Sequence, residues 1–243
     1  MTAAAPDQGL VDDVRTRLRT AADPAKAPEM QAYMKSAMPY HGVTSPRARV
    51  VFREALAAHP LPDRDTWLAT VLALWDGATH REEWYAAIAV LRDRRYAAYR
   101  DADVMPTYRH VLVTGAWWDV VDDVAIHLVG PLLLEQGSAV RTVVHGWQSD
   151  DDRWLRRTSV ICQVSAKERT DLGLLTDAIE ANLDDKDFFL RKAIGWALRQ
   201  HAGTDPEWVR GFVAAHDGRI SGLSRREAIK HIGAEIETPP PVS

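Results

Sequence analysis

Trp117-Trp118-Asp119-Val120-Val121-Asp122 sets two tryptophans and two carboxylates within one and a half helical turns. On a helix, Trp118 and Asp122 stand four apart and share a face. A π-face beside a carboxylate suits a cationic or electron-poor ligand, since the ring offers a negative quadrupole and the acid a full charge. The plainer alternative is two core tryptophans and two solvated acids. Asp122 itself has three open uses: general base, stabiliser of a developing cation, or partner in an ion pair, the last being the ordinary one.

Other residues qualify by type. Arg156 and Arg157 open a helix after the acidic turn Ser149-Asp150-Asp151-Asp152. Arginine suits bidentate phosphate contact, and the competing use is a pair with Asp150, Asp151 or Asp152. Only one of two adjacent arginines can face a groove squarely. Trp196 follows Gly195, which allows close approach, although most tryptophans in such a setting are core. Tyr33 is open in the same way. Between Leu190 and Ile232, Arg191, Lys192, Arg199, Arg210, Arg219, Arg225, Arg226 and Lys230 outnumber Asp205, Glu207, Asp217 and Glu227. Such a locally basic stretch fits a phosphate backbone, or it is a solvated surface. The nine histidines show no His-x-x-x-His spacing with carboxylates, so no metal site is expected. Gly-rich phosphate loops and nucleophile elbows are missing. Cys162, the single cysteine, lies in an apolar helical stretch and reads as buried and inert.

These residues need a scaffold, and the pattern is helical. Apolar residues recur at three and four, and alternating β-branched runs are absent. At 243 residues, 46% apolar and 26% charged, the chain suits one globular domain spanning 1–243, ordered over about 9–233, with 234–243 a disordered tail. Net charge is -4, which argues against a uniformly basic nucleic-acid binder but not against a local basic face. A lone cysteine excludes a disulfide framework and fits a reducing cytoplasm. No signal peptide is expected from Met1 to Gln8, and no apolar stretch approaches the ~20 residues of a membrane span.

The helices are expected at Val11 to Ala22, Met30 to Ala37, from Ser45-Pro46 to Ala57, Asp65 to Leu74, Arg81 to Arg95, Pro106 to Val113 and Trp117 to Leu128. Gly130-Pro131 is read as ending the last of these. Leu132 to Gln136, Val140 to Gln148, Arg153 to Val164, Leu172 to Leu183, Phe188 to His201, Pro206 to Ala215 and Ser224 to Ile232 follow. A repeat underlies them. Phe189-Leu190-Arg191-Lys192 lies 35 residues after Trp154-Leu155-Arg156-Arg157, and a further 35 takes Ala193-Ile194 to Ala228-Ile229. That period predicts an all-α, curved α-solenoid of HEAT-like helical hairpins with a concave groove. Equivalent positions would converge there, bringing the Trp118, Arg157 and Trp196 regions together.

The chain resembles the AlkD-type DNA alkylation repair family, the HEAT-like-repeat DNA glycosylases, from about Ala32 to His231. The resemblance rests on Tyr33-Met34-Lys35 with Gly42-Val43, on Trp117 to Asp122, on Trp154-Leu155-Arg156-Arg157, on Phe188 to Trp196, and on Leu223 to His231. It implies that Asp122 is the catalytic aspartate and that Trp118 and Trp196 are the lesion-proximal tryptophans. By the same match Arg157 is the phosphate-binding arginine and Tyr33 the groove tyrosine. Arg156 occupies a position that can be uncharged, and Met38-Pro39-Tyr40-His41 replaces a more aromatic-aliphatic stretch. With the basic stretch, DNA contacts would come from Tyr33, Arg156, Lys192, Arg199, Arg225, Arg226 and Lys230. The implied protein is a cofactor-free, monofunctional glycosylase. It would excise cationic N3- or N7-alkylated purines from double-stranded DNA as a monomer, without flipping the base, and bulky adducts would be tolerated. A non-catalytic scaffold for DNA or protein is the competing reading, since solenoids are commonly binding surfaces. An RNA-binding repeat protein is a weaker one, since a one-set-per-base pattern is lacking.

Overall fold

The computed structural model describes residues 4–232, which form thirteen α-helices joined by short 3-10 and π turns, with no strand among the described residues. The stretch 234–243, expected as a disordered tail, lies outside them. The helices group into two compact units, Met1–Tyr99 and Arg100–Ser243.

The first unit holds α1 (Gln8–Thr20), α2 (Ala27–Met34), α3 (Ser45–Ala58), α4 (Arg64–Asp76) and α5 (Arg81–Arg92). Asp7 and Asp63 start α1 and α4 by accepting from the N–H of Leu10 and Thr66, and prolines sit in the first turns of α2 and α3. Helix α1 packs against α3, α4 and α5, burying Leu10, Val14, Leu18, Trp67, Leu74 and Leu91. The connector after α2 is held by a single buried acid. Glu82 accepts from the backbone N–H of His41 and Gly42 at 2.9 Å and of Val43 at 3.0 Å.

The second unit holds α6 (Met105–Gly115), α7 (Trp118–Val124), α8 (Gly130–Trp147), α9 (Arg153–Ile161), α10 (Leu172–Glu180), α11 (Phe188–His201), α12 (Pro206–Ala215) and α13 (Gly222–Ala228). Helices α7, α9, α11 and α13 begin at 118, 153, 188 and 222, steps of 35, 35 and 34. Helix α9 packs between α7 and α11, and α13 packs on α11. The register recurs in side-chain bonds between successive repeats. Arg157 reaches Asp122, Lys192 reaches Glu227 and Arg219 reaches Asp184, each pair 35 apart, and Asn182 donates to the Gln148 carbonyl, 34 away. Asp152, Asp187 and Ser221 cap α9, α11 and α13, while Trp117 stands at the same place before α7 and makes no side-chain cap.

Several expected boundaries shift: α2 runs Ala27–Met34 and not Met30 to Ala37, α5 ends at Arg92 and not Arg95, and α13 runs Gly222–Ala228 and not Ser224 to Ile232. One expected helix end is wrong in kind. Gly130-Pro131 does not end the helix begun at Trp118. The chain passes through a π-helical turn, Ala125–Val129, directly into α8. Pro131 sits in the first turn of α8, where its missing N–H is tolerated. Gly130 is there for contact: a Cβ would come within 2.1 Å of the Cys162 carbonyl oxygen on the neighbouring segment. The expected break between Gln136 and Val140 is present as a kink at Gly137 (φ 45°, ψ -109°) within α8. Helices Phe188–His201 and Pro206–Ala215 run between the expected residues.

Candidate active site

Helix α7 starts abruptly. Ala116 takes a left-handed conformation (φ 37°) at the end of α6, and Trp117 follows in extended backbone. The Trp117 ring meets Trp154 edge-on at 6.1 Å and Phe189 at 5.4 Å, and Trp154 lies 4.9 Å from Phe189. These three rings come from the starts of α7, α9 and α11, so one aromatic cluster aligns three successive helices. The Arg153 guanidinium lies 5.0 Å above Trp154 and 5.8 Å above Phe189, a cation–π contact that closes the cluster outward. Trp117 is thus the packing residue of the tryptophan pair. Trp118, half-buried, is left one turn before Asp122 on the same helix.

Asp122 meets Arg157 in a two-pronged pair. Nε donates to Oδ1 at 2.7 Å and Nη2 to Oδ2 at 2.8 Å, while Nη1 donates to the Phe189 carbonyl at 2.5 Å. One guanidinium therefore ties α9 to both α7 and α11. Its side chain is 6% exposed and that of Asp122 is 18% exposed, so the acid is the more accessible of the two. Burial pushes the Asp122 carboxyl above the usual aspartate range. The Arg157 hydrogen bonds and charge pull it back, and the Asp119 charge adds a smaller upward push. Arg157 is thus the group that favours the charged form of Asp122 against its burial.

The neighbouring arginine does something else. Arg156 donates to the carbonyls of Asp150 at 2.7 Å and Asp151 at 3.2 Å, and to the Asp185 carboxylate at 3.1 Å. The pairing with the acidic turn that either arginine could have made belongs to Arg156, and Arg157 turns to Asp122. Trp196, half-buried on α11, packs against the core shared by α9 to α13. Its neighbour Gly195 admits α13: a Cβ there would lie 2.6 Å from Glu227 Cβ and 2.9 Å from the Ser224 carbonyl oxygen. The helices carrying Trp118, Arg157 and Trp196 are thus neighbours. Tyr33 belongs to the first unit, where it lies on α2 and is 74% exposed.

Six of the eight cations of the basic stretch are engaged within the fold. Lys192 and Arg199 both pair with Glu227, Arg225 with Asp217, Arg219 with Asp184 and Arg210 with Glu207, while Arg191 donates to the Asp185 carbonyl. Arg226 and Lys230 are exposed and have no partner among the described residues. The excess of positive charge remains, but few of its cations are unengaged. Cys162 is buried as expected, and burial pushes its thiol up to about 12.

One group of donors escaped the search by spacing. In the first unit His41, His80 and Glu83 bring one ligand-type atom each within 4.8 Å of one another. His80-x-x-Glu83 at the start of α5 is visible in the sequence, but His41 comes from the connector 39 residues earlier, so no two-histidine spacing on one helix announces the group. Burial, with a smaller push from His80, holds the His41 imidazole below the usual histidine range against the pull of Glu82 and Glu83, so it is neutral near pH 7.

A family model described as DNA alkylation repair enzyme matches residues 14–232 of the chain. A solved structure, a predicted DNA alkylation repair enzyme from Enterococcus faecalis, superposes with a TM-score of 0.79 at 25% identity, over 87% of this chain and 97% of that one. No curated protein matches the chain.

Proposed function

The chain belongs to the DNA alkylation repair enzyme family, and on that premise we propose that it is a monofunctional glycosylase. Its substrates would be N3- or N7-alkylated purines in duplex DNA. The observation that carries this reading is the Asp122 carboxylate, held at both oxygens by Arg157, its side chain part-exposed, and one helical turn from Trp118. Alkylation at N3 or N7 makes the base a cation and a good leaving group, so no strong general acid is needed. As the C1′–N bond breaks, its electron pair leaves with the base, which becomes neutral, and positive charge moves onto the deoxyribose. A fixed carboxylate stabilises that charge and orients the water that adds to C1′. The proton released is taken by Asp122 or by solvent. The π-faces of Trp118 and Trp196 lie to either side of the developing cation. Arg157 acts first through Asp122, by fixing its orientation. A nearby phosphate is its second contact, using the N–H groups not engaged by Asp122 and Phe189.

The protein works as a monomer on the DNA backbone, without flipping the base, and accepts bulky adducts. Most enzymes of base chemistry extrude the target, whereas a part-exposed carboxylate on a helix suits attack from the sugar side. Arg226 and Lys230, free of acidic partners among the described residues, and the exposed Tyr33 are the readiest DNA contacts. Arg156, Lys192, Arg199 and Arg225 are secondary contacts, each sharing its charge between phosphate and the acid it now holds.

The test is single-turnover release of 7-methylguanine from a duplex oligonucleotide, wild type against Asp122→Asn. Release that collapses in the variant while duplex binding persists is the expected result. Tight binding by the wild type with no release of any alkylpurine supports a DNA-binding scaffold instead.

A further inference from the structure

The first unit contains a buried imidazole nitrogen with nothing to bond. His41 Nε2 is shielded from solvent and has no hydrogen-bond partner among the described residues; the side chain is 9% exposed. Native structures seldom leave such a group unsatisfied, and a water or an ion is the usual explanation. Around it stand two other donors of the kind a metal takes. His41 Nε2 lies 3.9 Å from Glu83 Oε1, and His80 Nδ1 lies 3.8 Å from the same oxygen. We propose that His41, His80 and Glu83 form a divalent metal site of the zinc type, with water as the fourth ligand.

The chemistry of the donor set suits zinc, which takes imidazole nitrogen and carboxylate oxygen at about 2.0–2.2 Å, so that tetrahedral ligand atoms lie about 3.3 Å apart. The two histidine–glutamate separations need contraction by roughly half an ångström to meet that geometry, and the two histidine nitrogens, which lie within 4.8 Å, close up as a ring turns. One ring must also turn. The two imidazoles are stacked, with centroids 3.7 Å apart and planes 10° from parallel, and a metal must lie in the plane of each ring that binds it. His80 is the ring that swings, because its side chain is 32% exposed and its present tie is one bond of Nδ1 with the Thr79 hydroxyl at 3.0 Å. Water reaches the metal from the same exposed side.

Glu83 is already braced for the role. Arg15 Nε donates to Oε2 at 2.9 Å and Arg15 Nη2 to the Gly77 carbonyl at 2.6 Å, which fixes the carboxylate and leaves Oε1 toward the histidines. A hydrogen bond to the far oxygen is what orients a ligating carboxylate. The Thr79 hydroxyl, now 2.9 Å from Oε1, gives way or remains as a further donor. The arginine charge opposes a dication, so the site binds metal less tightly than one braced by a neutral donor. Its role is architectural: it clips the connector carrying His41, which follows the Tyr33-bearing α2, onto the start of α5.

The experiment uses the full, untagged chain stripped with a chelator. Titration with Co2+ is expected to give visible d–d absorption saturating at one ion per chain, displaced by Zn2+, and Zn2+ is expected to raise the thermal midpoint. His80→Ala, at a part-exposed side chain, keeps the fold by circular dichroism. It is expected to weaken binding by more than about tenfold, the loss that follows even when only a group behind a ligand is removed, and to abolish the thermal shift. Glu83→Gln is expected to do the same, and His145→Ala, at an exposed histidine in the other unit, to change nothing. The proposal is overturned if the wild type binds neither ion stoichiometrically, or if binding survives intact in His80→Ala, or if His145→Ala removes it equally.

Discussion

Glu82 in the first unit and Asp122 in the second are both carboxylates withdrawn from water, and they are held in opposite ways. Glu82 is fully buried, and both of its oxygens are taken by main-chain N–H groups of one connector. Asp122 is gripped by one side chain from a neighbouring helix and remains partly exposed. Backbone donors cannot withdraw without unfolding the segment that bears them, so the acid they saturate serves as architecture. An acid held by one arginine side chain and part-exposed can still offer its charge to a ligand. On the proposed function, the first acid stabilises the fold and the second meets the substrate.

Exchanging the roles is the strongest test of that contrast. Glu82→Ala leaves three buried N–H groups without an acceptor, and each such loss costs about 1–3 kcal/mol. A drop of at least about 3 kcal/mol in urea unfolding is therefore expected, with the folded fraction still competent in excision. Asp122→Asn is expected to do the reverse. Excision falls by about 10²–10³-fold, as when one preorganised electrostatic contact is removed, with a smaller loss of stability than in Glu82→Ala. If Asp122→Asn unfolds the protein and Glu82→Ala silences it while folded, the comparison is broken.

A finer test addresses the grip. Removing the guanidinium in Arg157→Gln takes away the only influence that lowers the Asp122 carboxyl, whose pKa burial has already raised. A carboxyl with a higher pKa loses its charge sooner on acidification. The acid limb of the pH–rate profile is thus expected to move to higher pH, with a lower plateau. An unmoved limb would mean that Asp122 does not set it.

Smaller effects sharpen the comparison at its edges. Gly195→Ala drives a methyl group into Glu227 and the Ser224 carbonyl, so α13 must shift from α11. A loss of about 1–3 kcal/mol is expected by thermal or urea unfolding, with excision weakened through displacement of Trp196. Least of all, Arg226→Ala should lower the slope of log affinity against log salt for duplex DNA by about 1. Arg225→Ala, which removes a cation already paired with Asp217, should lower it less. Equal slopes would show that the pairing seen here does not survive DNA binding.

The helices were legible because their signals are local. Apolar spacing, an aspartate cap and the proline of Asp205-Pro206 specify Phe188–His201 and Pro206–Ala215 within the segments themselves. The period of 35 was legible too, since equivalent helices bury equivalent faces. Gly130-Pro131 misled for a physical reason. The pair is a stop signal in isolation, but a π turn places the proline where it needs no N–H, and packing against Cys162 requires the glycine.

The all-helical class, the repeat and the shared face of Trp118 and Asp122 follow from residues a few positions apart or from one recurring spacing, and all three can be read along the chain. Which arginine meets Asp122 depends on packing. Residues 156 and 157 differ by about 100° around the helix, and the packing of α9 between α7 and α11 sends one to the acidic turn and the other to the carboxylate. Packing also engages six of the eight cations of the basic stretch and brings His41 to His80 and Glu83. Those outcomes depend on where a side chain points after helices pack, a quantity that no spacing along the chain encodes.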